Sequence, residues 1–245
     1  MSIDIALCIS SKWSDIDFTE RLRRTVPHNN YYTGTYTDCD LTSDFKMDEP
    51  NPDYHCVLDT EPYADLESCK RRELFVSADH DTLLGSYATK SIHWNKQILL
   101  HNHMMKNIPK CDIVIRSRFD AIVSEEIDWN FHIQQSYEEQ IPIGFNTINI
   151  SKKQGNLYNE LNRMPKSSVY YINDALIIHP YDLWDCDLVD ELYENKKLKG
   201  AEEGWYQVLS EPSNHYHRSY VGGVYLDCYW KNTIDAERSL HTKNN

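Results

Sequence analysis

The chain alternates short apolar runs with stretches whose apolar residues recur every three or four positions. Ile3 to Ile9 is apolar apart from Asp4 and predicts a central strand. Phe18, Leu22 and Val26 then share one face at helical spacing, until Pro27 stops the pattern. Tyr31 to Thr37 and the stretch "YHCVLDT" from Tyr54 predict two more strands, separated by the polar segment Asp38 to Pro52. Asp65 to Phe75 reads as helical. A longer helix is expected over Tyr87 to Lys106, with Trp94, Ile98, Leu99 and Met105 giving much of its apolar face. Its histidines, His93, His101 and His103, read as surface or packing residues. Pro109 breaks the helix and Asp112 to Ile115 enters a strand.

That strand runs into "IRSRFD" and turns apolar again at Ala121, Ile122 and Val123. A charged insert between apolar runs belongs at the mouth of a buried strand. In open α/β sheets, ligands bind outside the carboxyl ends of the strands. Further on, "YEEQIPIGF" and "INI" suggest short strands, and Ser151 to Ser168 reads as a helix or loop excursion. Leu176 to Ile178 is the apolar centre of another strand. "DLWDCDLVDELYENKK" and "GAEEGWYQVL" read as helices. The alternation predicts one α/β domain over residues 1–245, with a mixed, mostly parallel central sheet flanked by helices. Neither an internal repeat nor a convincing linker is visible, and the last dozen residues are expected to fray.

Charge narrows the choice of partners. The formal net charge is −13, and no basic patch exceeds "CKRRE" or "NKKLK", so a general nucleic-acid binder is not expected. A local basic pocket for a small anion stays open. No run approaches the ~20 apolar residues of a membrane span, and "MSIDIALCIS" lacks the basic region of a signal sequence. The seven cysteines form no close pair, so the reading is free, largely buried thiols in a reducing compartment rather than a zinc site. Cytoplasmic location is expected on that ground. Oligomeric state is left open. The 17 tyrosines and 6 tryptophans suit a carbohydrate-stacking surface, and equally interfaces and cores.

"CDIVIRSRFDAIV" resembles a segment of small GT-A-type glycosyltransferases from bacteria and large DNA viruses, in which an IR-x-R-x-D stretch stands in place of the usual Asp-x-Asp motif. "IALCIS" resembles their opening strand, "GSYATKSIHWNKQILL" the helix before the motif, "YYINDALIIHPYDLW" a later strand, and "GAEEGWYQVL" an acidic helix start. The likeness covers most of Ile3 to Leu209. The first strand is followed by "SSKW", where the family has Gly and soon an Arg. The carboxylate motif keeps only its terminal member, Asp120.

The resemblance implies a GT-A-like fold and transfer of a hexosyl or pentosyl group from a nucleoside-diphosphate sugar to a glycan acceptor, assisted by Mn²⁺ or Mg²⁺. The departing diphosphate gathers negative charge that a divalent ion or arginines must offset. Asp120 offers the oxygen ligands such ions prefer, and His215 and His217 are implied as late additions to the metal shell. Arg116 and Arg118 alternate along the strand and should share a face with Asp120. They are candidates to clamp phosphate, or to form an internal ion pair at the strand end. Ser10 and Trp13 in the altered loop, and Arg218 near the end, are further candidate donor contacts. Asp174 is the first candidate for the base that takes the acceptor's proton, with Glu202 and Glu203 next. Asp174 reads otherwise as a turn residue, and the glutamates as a helix-end charge group. The alternative from another class is a non-catalytic carbohydrate-binding or structural protein that retains the GT-A fold. A nucleotidyl- or phosphoryl-transfer enzyme would be expected to show a Gly-rich or Lys-bearing phosphate loop, and none is visible.

Overall fold

The computed structural model describes residues 2–10, 19–36, 52–58, 97–119, 121–123, 125, 127–146, 172, 174–199, 201–212, 217–221 and 224–226. Strands β1 (Ile5–Ser10), β2 (Asn30–Tyr36) and β3 (Tyr54–Leu58) come first, with helix α1 (Thr19–Thr25) between β1 and β2. The described part of helix α2 covers 97–105. Strands β4 (Ile113–Ser117) and β5 (Ala121–Val123), helix α3 (Trp129–Glu139), and strands β6 (Ile143–Asn146) and β7 (Leu176–Pro180) follow. A 3-10 turn at Tyr181–Leu183 leads to helices α4 (Cys186–Glu194) and α5 (Ala201–Leu209), and the described chain closes with β8 (Arg218–Val221) and β9 (Val224–Leu226).

Seven strands form one sheet in the order β3-β2-β1-β4-β7-β6-β8, while β5 and β9 pair separately. β3, β2, β1 and β4 run parallel; β7 lies antiparallel to both its neighbours; β8 is parallel to β6. The expected mixed, mostly parallel sheet flanked by helices is therefore what forms. Its central strands are buried along nearly their whole length and mostly apolar, as expected where both faces are covered. Side chains alternate between two cores. Ala6, Cys8, Val114 and Ile177 face one core with Ile98, Leu100 and Met104 of α2, Val189 of α4, and Trp205 and Val208 of α5. Leu7, Ile9, Ile113, Ile115, Leu176 and Ile178 face the other, with Leu22 of α1 and Trp129 and Ile133 of α3. Cys8, Cys56 and Cys111 are free and buried, and burial pushes the Cys111 thiol up to about 12.

The structure differs from the expected pattern around α3. Of the expected strand "YEEQIPIGF", only Ile143 onward is strand; Tyr137 to Glu139 end a helix that starts at Trp129. Asp128 caps it by accepting from the Phe131 N–H at 3.1 Å, and Gln140 stops it in the left-handed region at φ 52°. Trp129, His132, Ile133 and Ser136 are its buried stripe. Likewise, Asp182 to Leu183 is a 3-10 turn, and the helix after it waits for the Asp185 cap, which accepts from the N–H groups of Asp187 and Leu188. Of the long helix expected over Tyr87 to Lys106, residues 97–105 are seen, while Trp94 and the helix expected over Asp65 to Phe75 lie outside the described residues. Among the described residues, no helix is long and apolar enough to cross a membrane.

α5 sits close to its neighbours because position 204 is glycine. A Cβ there would stand 2.2 Å from the Ile98 side chain of α2 and 2.4 Å from the Lys199 carbonyl oxygen. The Ile98 methyl is the far end of a flexible side chain, whereas the Lys199 carbonyl belongs to the backbone and yields less cheaply. Gly204→Ala is expected to destabilise the protein by roughly 1–3 kcal/mol despite alanine's better helix propensity. A thermal melt should then fall by several degrees, and an unchanged melt would show that α5 can shift outward without cost.

Candidate functional site

The topology places the site. β2 and β3 extend the sheet to one side of β1, and β4 to the other, so the chain reverses direction between β1 and β4. At such a switch point the loops leaving the carboxyl ends of the two strands diverge and leave a crevice. Ser10 ends β1 and Ser117 ends β4, with Ile9 opposite Ser117 in register. β7 runs the other way, with Leu176 opposite Ser117, so Asp174, two residues earlier, lies beyond the same edge. One sheet edge thus gathers Ser10, Arg116, Arg118 and Asp174.

Arg116 shares the α2/α4/α5 face with Cys8, its partner in register on β1. It has no exposed surface. Its guanidinium donates to the Ser10 carbonyl at 2.8 Å, the Ser10 hydroxyl at 3.3 Å, Gln97 Oε1 at 2.8 Å and the Asp174 carbonyl. The guanidinium carbon lies 4.9 Å from the centre of the Trp205 ring, a cation–π contact shielded from bulk solvent. One planar fork therefore ties β1, α2 and the approach to β7 together above α5. A lysine could not match this, because its single ammonium has no such spread of donors. Gln97 and Trp205 were not singled out from the sequence; they lie 19 and 89 residues from Arg116, and only the fold brings them to it.

Arg118 lies just past the strand, nearer the surface. Its Nη1 is 3.3 Å from Asp174 Oδ2, with 20% of the arginine side chain and 10% of the aspartate side chain exposed. Phe119 next to it is buried in the opposite core, and the Ala121 N–H bonds the Arg118 carbonyl, which turns the chain into β5.

The other candidates divide. Glu203 is exposed in the first turn of α5, and Glu202 precedes it with its side chain outside the described set. Arg218 starts the outer strand β8, in a row through Ile143 and Ile178 to Ile115 that puts it three strands from β4, about 14 Å at ordinary strand spacing. There it makes a two-pronged ion pair with Glu139 of α3, at 2.9 and 3.1 Å from one nitrogen, and the structure does not bring it to Arg116. His217 is half-buried against Tyr206 of α5, ring centres 5.5 Å apart, and burial lowers its pKa. Asp120, Trp13 and His215 lie outside the described residues. Among the described residues, no three His, Cys, Asp or Glu side chains are grouped to hold a metal ion. They therefore supply no complete metal shell.

His101 of α2 packs against both Trp184 and Trp205, and His179 of β7 against Trp184. Both are fully buried, and their Nε2 atoms are 3.2 Å apart. Their partners fix the protons. His179 Nδ1 is 2.8 Å from the Pro180 carbonyl and must donate to it, so its Nε2 accepts from His101 Nε2–H. Both rings are then neutral, and burial holds His179 down at about 4 and His101 well below its usual value. The unfolded chain binds these protons near pH 6.5 and the folded chain does not. Stability is therefore complete above pH 6.5 and lost as pH falls toward 4, by roughly 3 kcal/mol for His179. Urea melts at pH 7 and pH 4.5 should show this loss, and His179→Gln should reduce it; an equal loss in the variant would place the acid sensitivity elsewhere.

No protein-family model matches the sequence, and no curated protein does. Several solved structures are similar in overall chain path. HddC from Yersinia pseudotuberculosis is 10% identical, with 98% of this chain and 100% of that chain covered and a TM-score of 0.48. The 4-diphosphocytidyl-2C-methyl-D-erythritol synthase of Anaerococcus prevotii is 9% identical over 90% of this chain and 86% of that chain, at a TM-score of 0.41. Apo mouse xyloside xylosyltransferase 1 is 10% identical over 89% and 84%, at 0.36.

Proposed function

We propose that this chain is a GT-A-type glycosyltransferase that moves a hexosyl or pentosyl group from a nucleoside-diphosphate sugar to a carbohydrate acceptor. The observation that carries the reading is the meeting of Ser10, Arg116, Arg118 and Asp174 at the switch point between β1 and β4. Two cations and one carboxylate at a sheet's ligand-binding edge suit an anionic donor and a proton acceptor. Arg116 acts from beneath: it holds the end of β1 and the approach to β7 in place. Arg118, the outer arginine, meets the donor's phosphates. Asp174 is positioned by its carbonyl and presents its carboxylate to the acceptor hydroxyl. Asp120 is the residue proposed to hold Mn²⁺ or Mg²⁺ against the diphosphate, an ion that would supply Lewis-acid stabilisation of the leaving group. Cytoplasmic synthesis of a viral or bacterial glycan is the proposed setting.

The test is a calorimetric titration with UDP and GDP, with and without Mn²⁺, followed by release of nucleoside diphosphate from the donor that binds. Silence with both, and with other nucleotides, would sink the reading. The rival is a non-catalytic carbohydrate-binding protein on the same fold. It draws on the ion pair that occupies the candidate base, and it forecasts glycan binding with no release of nucleoside diphosphate.

A further inference from the structure

The two arginines flanking Ser117 are held differently. Arg116 is wholly buried and bonded to three segments. Arg118 keeps 20% of its side chain exposed, and its 3.3 Å contact with Asp174 is long beside the roughly 2.7–2.9 Å usual for a charge-assisted bond. Asp174, meanwhile, is fixed through its backbone, because its carbonyl accepts from Arg116. Its carboxylate can therefore leave Arg118 without the loop before β7 coming loose.

We propose that Asp174 is an internal competitor for Arg118: an incoming diphosphate displaces the carboxylate from the guanidinium, and the carboxylate is released only once the anion is in place. The identity of the anion rests on the donor reading above; the exchange itself does not. A guanidinium fork fits phosphate oxygens at least as well as a carboxylate, and a diphosphate brings more charge to it. The pair thus guards the site. Arg118 is kept partly desolvated and oriented, and Asp174 is kept from serving as a base before the anion arrives.

The consequence has an unusual sign. Removing the carboxylate should strengthen anion binding, because the anion no longer has to break a pair. The probe is inorganic pyrophosphate, titrated calorimetrically into the full chain in EDTA so that metal plays no part. Asp174→Asn is expected to bind about tenfold tighter than wild type, and Arg118→Gln about tenfold weaker. In the Arg118→Gln background, Asp174→Asn should no longer tighten binding. A gain that persists there would mean simple relief of charge repulsion and would overturn the proposal. Unchanged or weaker binding by Asp174→Asn would overturn it as well, as would a wild type that does not bind pyrophosphate at millimolar concentration. Melting curves show which variants fold. If Asp174→Asn does not, Arg118→Gln decides alone, since undiminished affinity in that variant contradicts the exchange. Failure of the donor reading looks different: the pyrophosphate pattern would hold while neither UDP nor GDP bound.

Discussion

Arg116→Met is expected to be among the most damaging single changes in the described part of the fold. Methionine fills much of the same space but donates nothing. The carbonyls of Ser10 and Asp174 and the amide oxygen of Gln97 would each lose a buried donor. Each orphaned acceptor costs about 1–3 kcal/mol. Against this stands relief from burying a guanidinium, itself worth several kcal/mol. Because three acceptors are stranded and one charge is relieved, destabilisation wins, by roughly 3 kcal/mol net. That corresponds to a fall in melting temperature of about 6–12 °C for a chain of this size. Under the proposed function, transfer activity should collapse further than stability does, because the Asp174 carbonyl loses the guanidinium that holds it. Arg116→Lys should recover part of the stability and little of the activity, since one ammonium cannot span β1, α2 and the approach to β7. Gln97→Met added to Arg116→Met should cost almost nothing more, because the two share one interaction. Additive losses in that double variant would mean that the bond between them carries no energy.

The sheet was legible because its central strands are covered on both faces. Such strands carry continuous apolar runs, Ile113 to Ile115 in β4 and Leu176 to Ile178 in β7, with their polar residues only toward the strand ends. The helix at Trp129–Glu139 was not, because most of its length faces water: its Gln and Glu side chains bond one another four residues apart. Its signal lay in the Asp128 cap and in the spacing of Trp129, His132, Ile133 and Ser136, a stripe easily lost beside the apolar "IPIGF". The site divides in the same way. Arg116 and Arg118 could be named because a charged insert follows an apolar strand, where α/β sheets gather ligands; Ser10 and Asp174 were implied by the resemblance. The different burial of the two arginines could not be named. It depends on Gln97 and Trp205, which come from helices distant in sequence and whose own positions look like ordinary helix interior. The pairing of Arg218 with Glu139 is of that kind too: it follows from α3 packing beside β8 at the far edge of the sheet, which the local sequence does not encode.

Asp120→Asn is expected to abolish most transfer while leaving the fold nearly intact. The substitution keeps the volume and replaces a charged oxygen with an amide. Its sequence neighbours Phe119 and Ala121 are both buried and keep their own packing in the variant. If this carboxylate orients the ion that meets the leaving diphosphate, its loss removes one preorganised electrostatic group. The cost of such a group is ~10²-fold or more in rate. The loss should fall mainly on turnover and much less on acceptor affinity, because charge develops on the diphosphate in the transition state rather than in the bound substrate. An ion-pairing role with Arg116 or Arg118 makes the opposite forecast. The variant would then melt earlier but keep its response to Mn²⁺ and much of its specific activity. Initial rates over a Mn²⁺ titration, measured beside a thermal melt, separate the two. Near-normal turnover with unchanged metal dependence would remove Asp120 from the site and leave the outer arginine, Arg118, to receive the donor phosphates alone.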